Sequence, residues 1–450
     1  MKSTTLKKLL LSLLIAQALA TGLSAQTWDT VSSGFDNGVN ALAVNNGKLY
    51  AGGAFMFAAG NSANYMAQWN DTAWTGVGSG MNSYVLSLST APEGLYAGGY
   101  FWNAGGNSAN SIALWNDTNW NGLGSGVYLF NGPSINAMVS YNGILYAGGN
   151  FSKAGNTCTN NMAQWNGQEW TSMGTGMNGN INAMAIYNGN IYIAGNFDSA
   201  NGSAIYHIAM WDGAQWKAVG NGLNGNVTAL CVYNGELYAG GGFDSAGNKR
   251  AIEMARWNGT HWDAVGTGMS MGSSVNALAV YNNKLYAGGS FDSAGGIQAW
   301  YIAAWNGQNW DNLGAGVNNT VNALAVYDSA LYAGGWFTSA AGMVANYIAK
   351  WTDNPKTIIA GVSNTIEANT VMVYPNPSKG VFQIQAKGYQ LLANSRIEVY
   401  NLLGEKIANS QCPIANNQIQ IDLNNQASGI YIYKVYNLGN LLGTGKLIKE

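Results

Sequence analysis

The sequence predicts an all-β chain: a seven-bladed β-propeller of four-stranded blades, followed by a small β-sandwich. Three observations predict it. A Leu-Tyr-Ala-Gly-Gly-like strand recurs seven times, its tyrosines at Tyr50, Tyr96, Tyr146, Tyr192, Tyr238, Tyr286 and Tyr332, 46 to 50 residues apart. Each is followed by a phenylalanine, a loop of small residues and an Ile-Ala-x-Trp-like strand. Glycine is 61 of 450 residues while charged residues are only 9%, a balance suited to many short strands joined by turns. A period of that length with several strands per unit is the mark of radially stacked sheets.

Residues 1–25 read as a secretory signal: Lys2, Lys7 and Lys8 ahead of an apolar run from Leu9 to Ala20, with cleavage expected after Ala20 or after Ala25. The run is short for a bilayer, and no later stretch is longer, so the chain is expected to be secreted or tethered rather than membrane-spanning. Residues 26–351 form the propeller. In the unit from Val275 to Leu313, Val275–Val280 is an apolar strand, Tyr281-Asn282-Asn283 a turn and Lys284–Gly289 a second strand. After a loop of about ten residues come Tyr301–Trp305, a two-residue Asn306-Gly307 turn and Gln308–Leu313. Such a sheet cannot bury both faces alone and must stack on neighbours.

Paired tryptophans flank the fourth-strand turn in six units: Trp69/Trp74, Trp115/Trp120, Trp165/Trp170, Trp211/Trp216, Trp257/Trp262 and Trp305/Trp310. They are expected to fill the wide outer gap between blades. Trp351 lacks a later partner and Trp28 an earlier one, so residues 27–31 are expected to supply the outer strand of the seventh blade and close the ring.

Residues 28–351 carry fifteen acidic and eight basic side chains, which excludes a nucleic-acid footprint. The three cysteines, Cys158, Cys231 and Cys412, are too sparse for a disulfide framework and read as unpaired, with a Cys158–Cys231 bridge as second choice.

The order Leu285-Tyr286-Ala287-Gly288-Gly289, then Tyr301 to Trp305, then Trp310 resembles the kelch repeat, and the fuller Ile-Ala-x-Trp-Asn-Gly-x-x-Trp variant resembles fungal Rax2-like repeats. The repeats lack the charged residues of ordinary kelch units, so actin-binding or ubiquitin-adaptor roles do not carry over. Beyond a polar linker at 352–370, residues 371–450 change grammar, with short strands around Val381–Gln385, Ile397–Ile407, Gln418–Leu423, Gly429–Tyr436 and Lys446–Lys449. The pieces Tyr374-Pro375-Asn376-Pro377, Val399 to Gly404, Ser428-Gly429-Ile430-Tyr431 and Gly445 to Lys449 resemble the C-terminal sorting domain of type IX secretion substrates of Bacteroidetes. That resemblance implies Sec export, then the type IX machinery, then removal of the module by a sortase-like protease. The destination it implies is the outer cell surface or the medium, and Tyr374, Pro375, Asn376, Pro377, Gly404, Gly429 and Lys446 are the motif positions.

In a four-stranded meander, the turns joining strands one to two and three to four share one face. The longer connections share the other, where a ligand site is expected. Residues breaking the repeat there are Trp102, Tyr128, Phe130, Lys249, Arg250, Trp300 and Trp336. Exposed aromatics on a neutral, Asn-rich face suit stacking on sugar rings, while packing over the blade tops is the alternative. Asp-Ser-Ala recurs after the repeat phenylalanine, with Ser199, Ser245 and Ser293, and reads first as a turn in which the carboxylate accepts backbone N–H groups. With Thr30, Thr72 and Ser329 it also resembles the periplasmic O-glycosylation acceptor of Bacteroidetes. His207, placed in the third strand of its unit, and His261 occupy different registers and make no obvious metal pair. No cofactor is expected, and neither a Ser-His-Asp set nor a hydrolase carboxylate pair stands out. The sequence therefore favours a surface or secreted binding module, with a polysaccharide-active enzyme or a passive surface protein as alternatives.

Overall fold

Alternation of small and large apolar residues gives strands that must be covered on both faces, and the structure supplies that cover by stacking. This computed structural model describes residues 27–353, 371–386, 396–401, 406–411, 418–437 and 440–450. The expected signal, most of the linker, Gly404 and Cys412 lie outside the described residues. Every regular element described is a β-strand.

The chain forms two units, Met1–Thr357 and Ile358–Glu450. In the first, seven four-stranded antiparallel sheets follow one another. Their inner strands are Val39–Asn45, Val85–Ala91, Ser134–Tyr141, Asn180–Tyr187, Asn226–Tyr233, Val275–Tyr281 and Val321–Tyr327, which number the sheets one to seven. Each inner strand packs on the next, and the seventh packs on the first, giving a propeller-like ring. Thr27–Thr30 pairs antiparallel with Ile348–Thr352, placing Trp28 opposite Trp351 as the fourth strand of sheet seven.

Two glycines show why the second strands end as they do. A Cβ on Gly288 would lie 2.5 Å from Val321 of the next sheet, and one on Gly334 would lie 2.5 Å from Val39. Sheets six, seven and one approach so closely that only a hydrogen fits. Outward, where sheets diverge, the tryptophan pairs fill the space at ring separations of 5.0 to 5.4 Å. The second indole of most pairs donates its Nε1–H to a carbonyl of the preceding sheet's exit, as Trp120 does to Val77 and Trp28 to Leu313, both at 2.9 Å. At the other end, Tyr233, Tyr281 and Tyr327 donate their hydroxyls to the first turn of the following sheet, Tyr327 reaching Gly47 of sheet one at 3.2 Å.

Two local expectations are corrected. The turn after Trp305 has four residues, because Trp305 pairs with Trp310 and the Asn306 side-chain oxygen accepts from the amides of Gln308 and Asn309. An Asx turn thus replaces the two-residue hairpin. The long connections between second and third strands are not free loops either. Each holds a miniature hairpin, such as Ser293–Ala294 with Ile297–Gln298, and the incoming connector bridges to its buried alanine: Met269 to Ala294, Val317 to Ala340, Phe35 to Ala58.

In the second unit, Val371–Tyr374, Val381–Ala386 and Gln418–Asp422 form one sheet, and Arg396–Tyr400, Lys406–Gln411, Gly429–Asn437 and Asn440–Lys449 another. Phe382 and Ile421 from the first meet Ile397, Val399, Tyr431, Val435 and Leu447 from the second in a shared core.

Candidate functional site

The long-connection face is made by three recurring devices, and the departures from them mark the site. In the first, a polar connector residue clamps the next sheet's miniature hairpin. The side-chain oxygens of Asp36, Asn82, Asn178, Asn224 and Asn318 each accept two successive backbone amides, at 2.8–3.1 Å. In the second, Asn64, Asn110, Asn160 and Asn346 donate their side-chain amides to the connector carbonyls of Ser79, Ser125, Thr175 and Ser33. Tyr206, Ile252 and Trp300 hold that position in sheets four, five and six.

The third device is a left-handed residue ahead of each third strand: Tyr65, Ser111, Asn161, His207, Glu253, Tyr301 and Tyr347, with φ between 61° and 72°. Each amide donates to the carbonyl of its sheet's repeat phenylalanine, as His207 does to Phe197 at 2.8 Å. This conformation costs a non-glycine residue about 1 kcal/mol or more. It is absorbed because two backbone hydrogen bonds depend on it. His207 is therefore not in the strand Ile208–Trp211 but just before it, and Tyr301 likewise precedes Ile302–Trp305. The backbone role shared by these seven positions was not legible in the sequence, because five residue types fill them.

The first departure lies between sheets two and three. Most connectors run four residues from the bridging residue to the next inner strand, as from Met177 to Ile181, but Val127 to Ile135 spans eight. Here no side chain clamps the hairpin. The Tyr128 carbonyl accepts from the Ser152 amide at 2.9 Å, leaving the Tyr128 ring free to reach solvent. The extra residues open a cleft of about 590 Å³ lined by Tyr100, Trp102, Tyr128, Asn110, Ser125 and Lys153, among others. Trp102 and Tyr128 are 59% and 55% exposed, and Phe130, two residues after Tyr128 in the same connector, is 88% exposed. Ser111 at the floor donates its hydroxyl to Pro133 O at 3.1 Å, tying down the far end of the long connector.

The second departure lies at sheets five and six, where the connector from Met269 to Val275 is two residues longer than usual. Glu253 is buried, and its carboxylate accepts from the Ser273 amide at 2.6 Å and from the Ser273 hydroxyl. Burial, only partly offset by these donors, pushes the Glu253 carboxyl above the usual range. Glu253 and the exposed Asp244 line a cleft of about 410 Å³ with Asn224 and Met271.

The remaining expected residues are spread around the ring. Trp300 is 41% exposed and lines a cleft of about 340 Å³ with Tyr301, Asn318 and Ser339. Trp336 sits over Gly38, where a Cβ would come within 2.9 Å of its ring. Lys249 pairs with Asp263 at 2.7 Å, and Arg250 lines a separate cleft with Ile252 and Thr267. The structure thus brings Trp102 and Tyr128 to one cleft and places Trp300, Trp336, Lys249 and Arg250 elsewhere on the ring.

The Asp-Ser-Ala segments differ from expectation. The carboxylates of Asp198 and Asp244 do not cap their own turns. They accept from the side-chain amides of Asn178 and Asn224, whose oxygens take the backbone N–H groups instead. An amide offers donor and acceptor at once, so it holds both partners. Ser199, Ser245 and Ser293 are half-buried in the miniature hairpins, whereas Thr30, Thr72 and Ser329 are exposed. His261 lies in a turn beside Asp263, at 3.1 Å, in a different sheet from His207. Cys158 is exposed and Cys231 half-buried, and both are free; burial raises the Cys231 thiol to about 11.

In the second unit, the two ends of the expected motif meet. Asn376 donates its side-chain amide to Lys446 O at 2.7 Å and accepts from the Ile448 amide at 2.8 Å, and the Ser378 amide donates to Ile448 O at 2.9 Å. The Tyr374-Pro375 and Asn376-Pro377 peptides are both cis. Residues 372–450 match the family of secretion system C-terminal sorting domains. The chain is accordingly exported by type IX secretion to the cell surface or extracellular space. No helix among the described residues is long and apolar enough to cross a membrane. No curated protein matches the chain. A structural genomics protein of unknown function from Bacteroides thetaiotaomicron is similar over 73% of this chain and 72% of that one, at 9% identity and a TM-score of 0.36.

Proposed function

We propose that the first unit is a binding module, carried outward by the sorting domain, that takes a carbohydrate in the cleft between sheets two and three. The observation that supports this most is the coincidence of the longest connector, the lost side-chain clamp and the exposed rings of Trp102 and Tyr128. Flat apolar rings flanked by Asn110 and Ser125 suit a sugar, which offers an apolar face and a rim of hydroxyls. Titration of the purified full chain with an oligosaccharide panel tests the reading, and a panel with no binder would end it. Glycans on the chain itself belong to the same proposal, with Thr30, Thr72 and Ser329 as the accessible acceptors, and a native mass free of hexose increments would remove them.

A second reading, a polysaccharide-active enzyme, has one observation in its favour. Glu253 and Asp244 line one cleft in unlike settings, the arrangement that separates an acid from a base. Release of reducing ends from a polysaccharide panel tests it. The Gly-Gly, tyrosine and tryptophan order supports kinship with kelch-type repeats, and the match of the second unit supports handling by a processing protease of the type IX pathway.

A further inference from the structure

We propose that the cleft between sheets two and three selects an anionic glycan, with Lys153 as the group that meets the sugar's carboxylate or sulfate. The proposal rests on the carbohydrate reading above and adds the charge of the ligand. Lys153 is exposed, lines the cleft beside Trp102 and Tyr128, and pairs with no carboxylate among the described residues. Lys217, Lys249, Arg256 and Lys284 each do pair. No acidic residue lines this cleft.

The surrounding charge is arranged to match. The acids of sheets two and three, Glu93, Asp117 and Glu169, all sit in tight turns at the opposite end of the strands. Besides the exposed Asp36 in the connector ahead of sheet one and the buried Glu253, acids recur on the cleft's own face at one repeat position, the residue after the repeat phenylalanine. It is Asp198, Asp244 and Asp292 in sheets four, five and six, but Met56, Trp102, Ser152 and Thr338 in sheets one, two, three and seven. Sheets four to six therefore carry an acid at this position, with Lys249 and Arg250 beside it in sheet five, whereas sheets two and three carry none there and present exposed rings with an unpaired ammonium. In a unit with an excess of acids, Lys153 is an exposed cation in a cleft that no acid lines, and an anion finds its partner there.

Titration calorimetry on the full chain tests this with three probes: an oligogalacturonate hexamer, its carboxyl-reduced neutral counterpart and a sulfated heparin-derived hexamer. The expected result is at least about tenfold tighter binding of an anionic probe than of the neutral one. That preference should shrink at high salt. K153M should abolish it while leaving affinity for the neutral probe in place, and S152D, which restores the acid of sheets four to six beside the cleft, should reverse it. Whichever of the uronate and sulfate arms shows the Lys153-dependent preference identifies the anion. Equal affinity for charged and neutral probes, or a preference that survives K153M, overturns the anion assignment and leaves carbohydrate binding standing. Failure of all three probes to bind, or binding unchanged in W102A, overturns the carbohydrate reading with it. Both lysine and serine positions lie on the surface hairpin, and circular dichroism of each variant confirms the fold.

Discussion

Two clefts on the same face, built from the same repeat, have opposite character. Between sheets two and three the connector is four residues longer, and the hairpin is held by the Tyr128 carbonyl, so side chains are released outward as exposed rings. Between sheets five and six the connector is two residues longer, and the added Ser273 turns inward to hold the buried carboxylate of Glu253. The comparison teaches that insertion length alone does not determine a site on this scaffold. What matters is whether the polar groups of the insertion are spent on the backbone, leaving aromatic faces free, or spent on a buried charge, leaving none.

The largest effect should come from the inward cleft. Ser273→Ala removes a donor from a buried carboxylate, and the loss should be about 1–3 kcal/mol, read by urea denaturation. A stability change within error would mean that Glu253 is solvated, and the contrast between the clefts would collapse. Next, Trp102→Ala should weaken carbohydrate binding by about 2 kcal/mol, roughly 30-fold in Kd, with no loss of stability because the ring is exposed. Met271→Ala in the acidic cleft should leave that binding unchanged. Ser111→Ala should cost about 1 kcal/mol, since only one hydrogen bond to the long connector is lost.

The smallest effect is on pH dependence. The folded-state carboxyl of Glu253 is raised above its unfolded value, so its stability contribution is fully present below the unfolded value and declines as pH rises through the folded one. Glu253→Gln should abolish this decline, so the variant should gain on the parent between acidic and neutral pH in thermal denaturation. Parallel curves across that range would show that burial does not govern this group.

The ring was legible because its signals repeat: the Gly-Gly strand ends, the tryptophan pairs and the unpaired Trp28 and Trp351 each correspond to a packing requirement shared by neighbouring sheets. The aromatic cleft was legible through Tyr128 and Phe130, which lengthen one unit. Glu253 was not, although Lys249 and Arg250 beside it were noticed. Its position is defined by a backbone angle, and tyrosine, serine, asparagine, histidine and glutamate all adopt that angle here, so no residue type announces it. The Asp-Ser-Ala segments misled for a related reason: their binding partner lies twenty residues earlier, in the preceding connector.

The pairing of Thr27–Thr30 with Ile348–Thr352 sets an order on maturation. A circle fastened by its two ends cannot be latched until the polypeptide through residue 352 is present, so the seam between the last and first sheets is the latest long-range contact available within the first unit. Removing four residues there would strip sheet seven of its outer edge and leave every other sheet with its full complement.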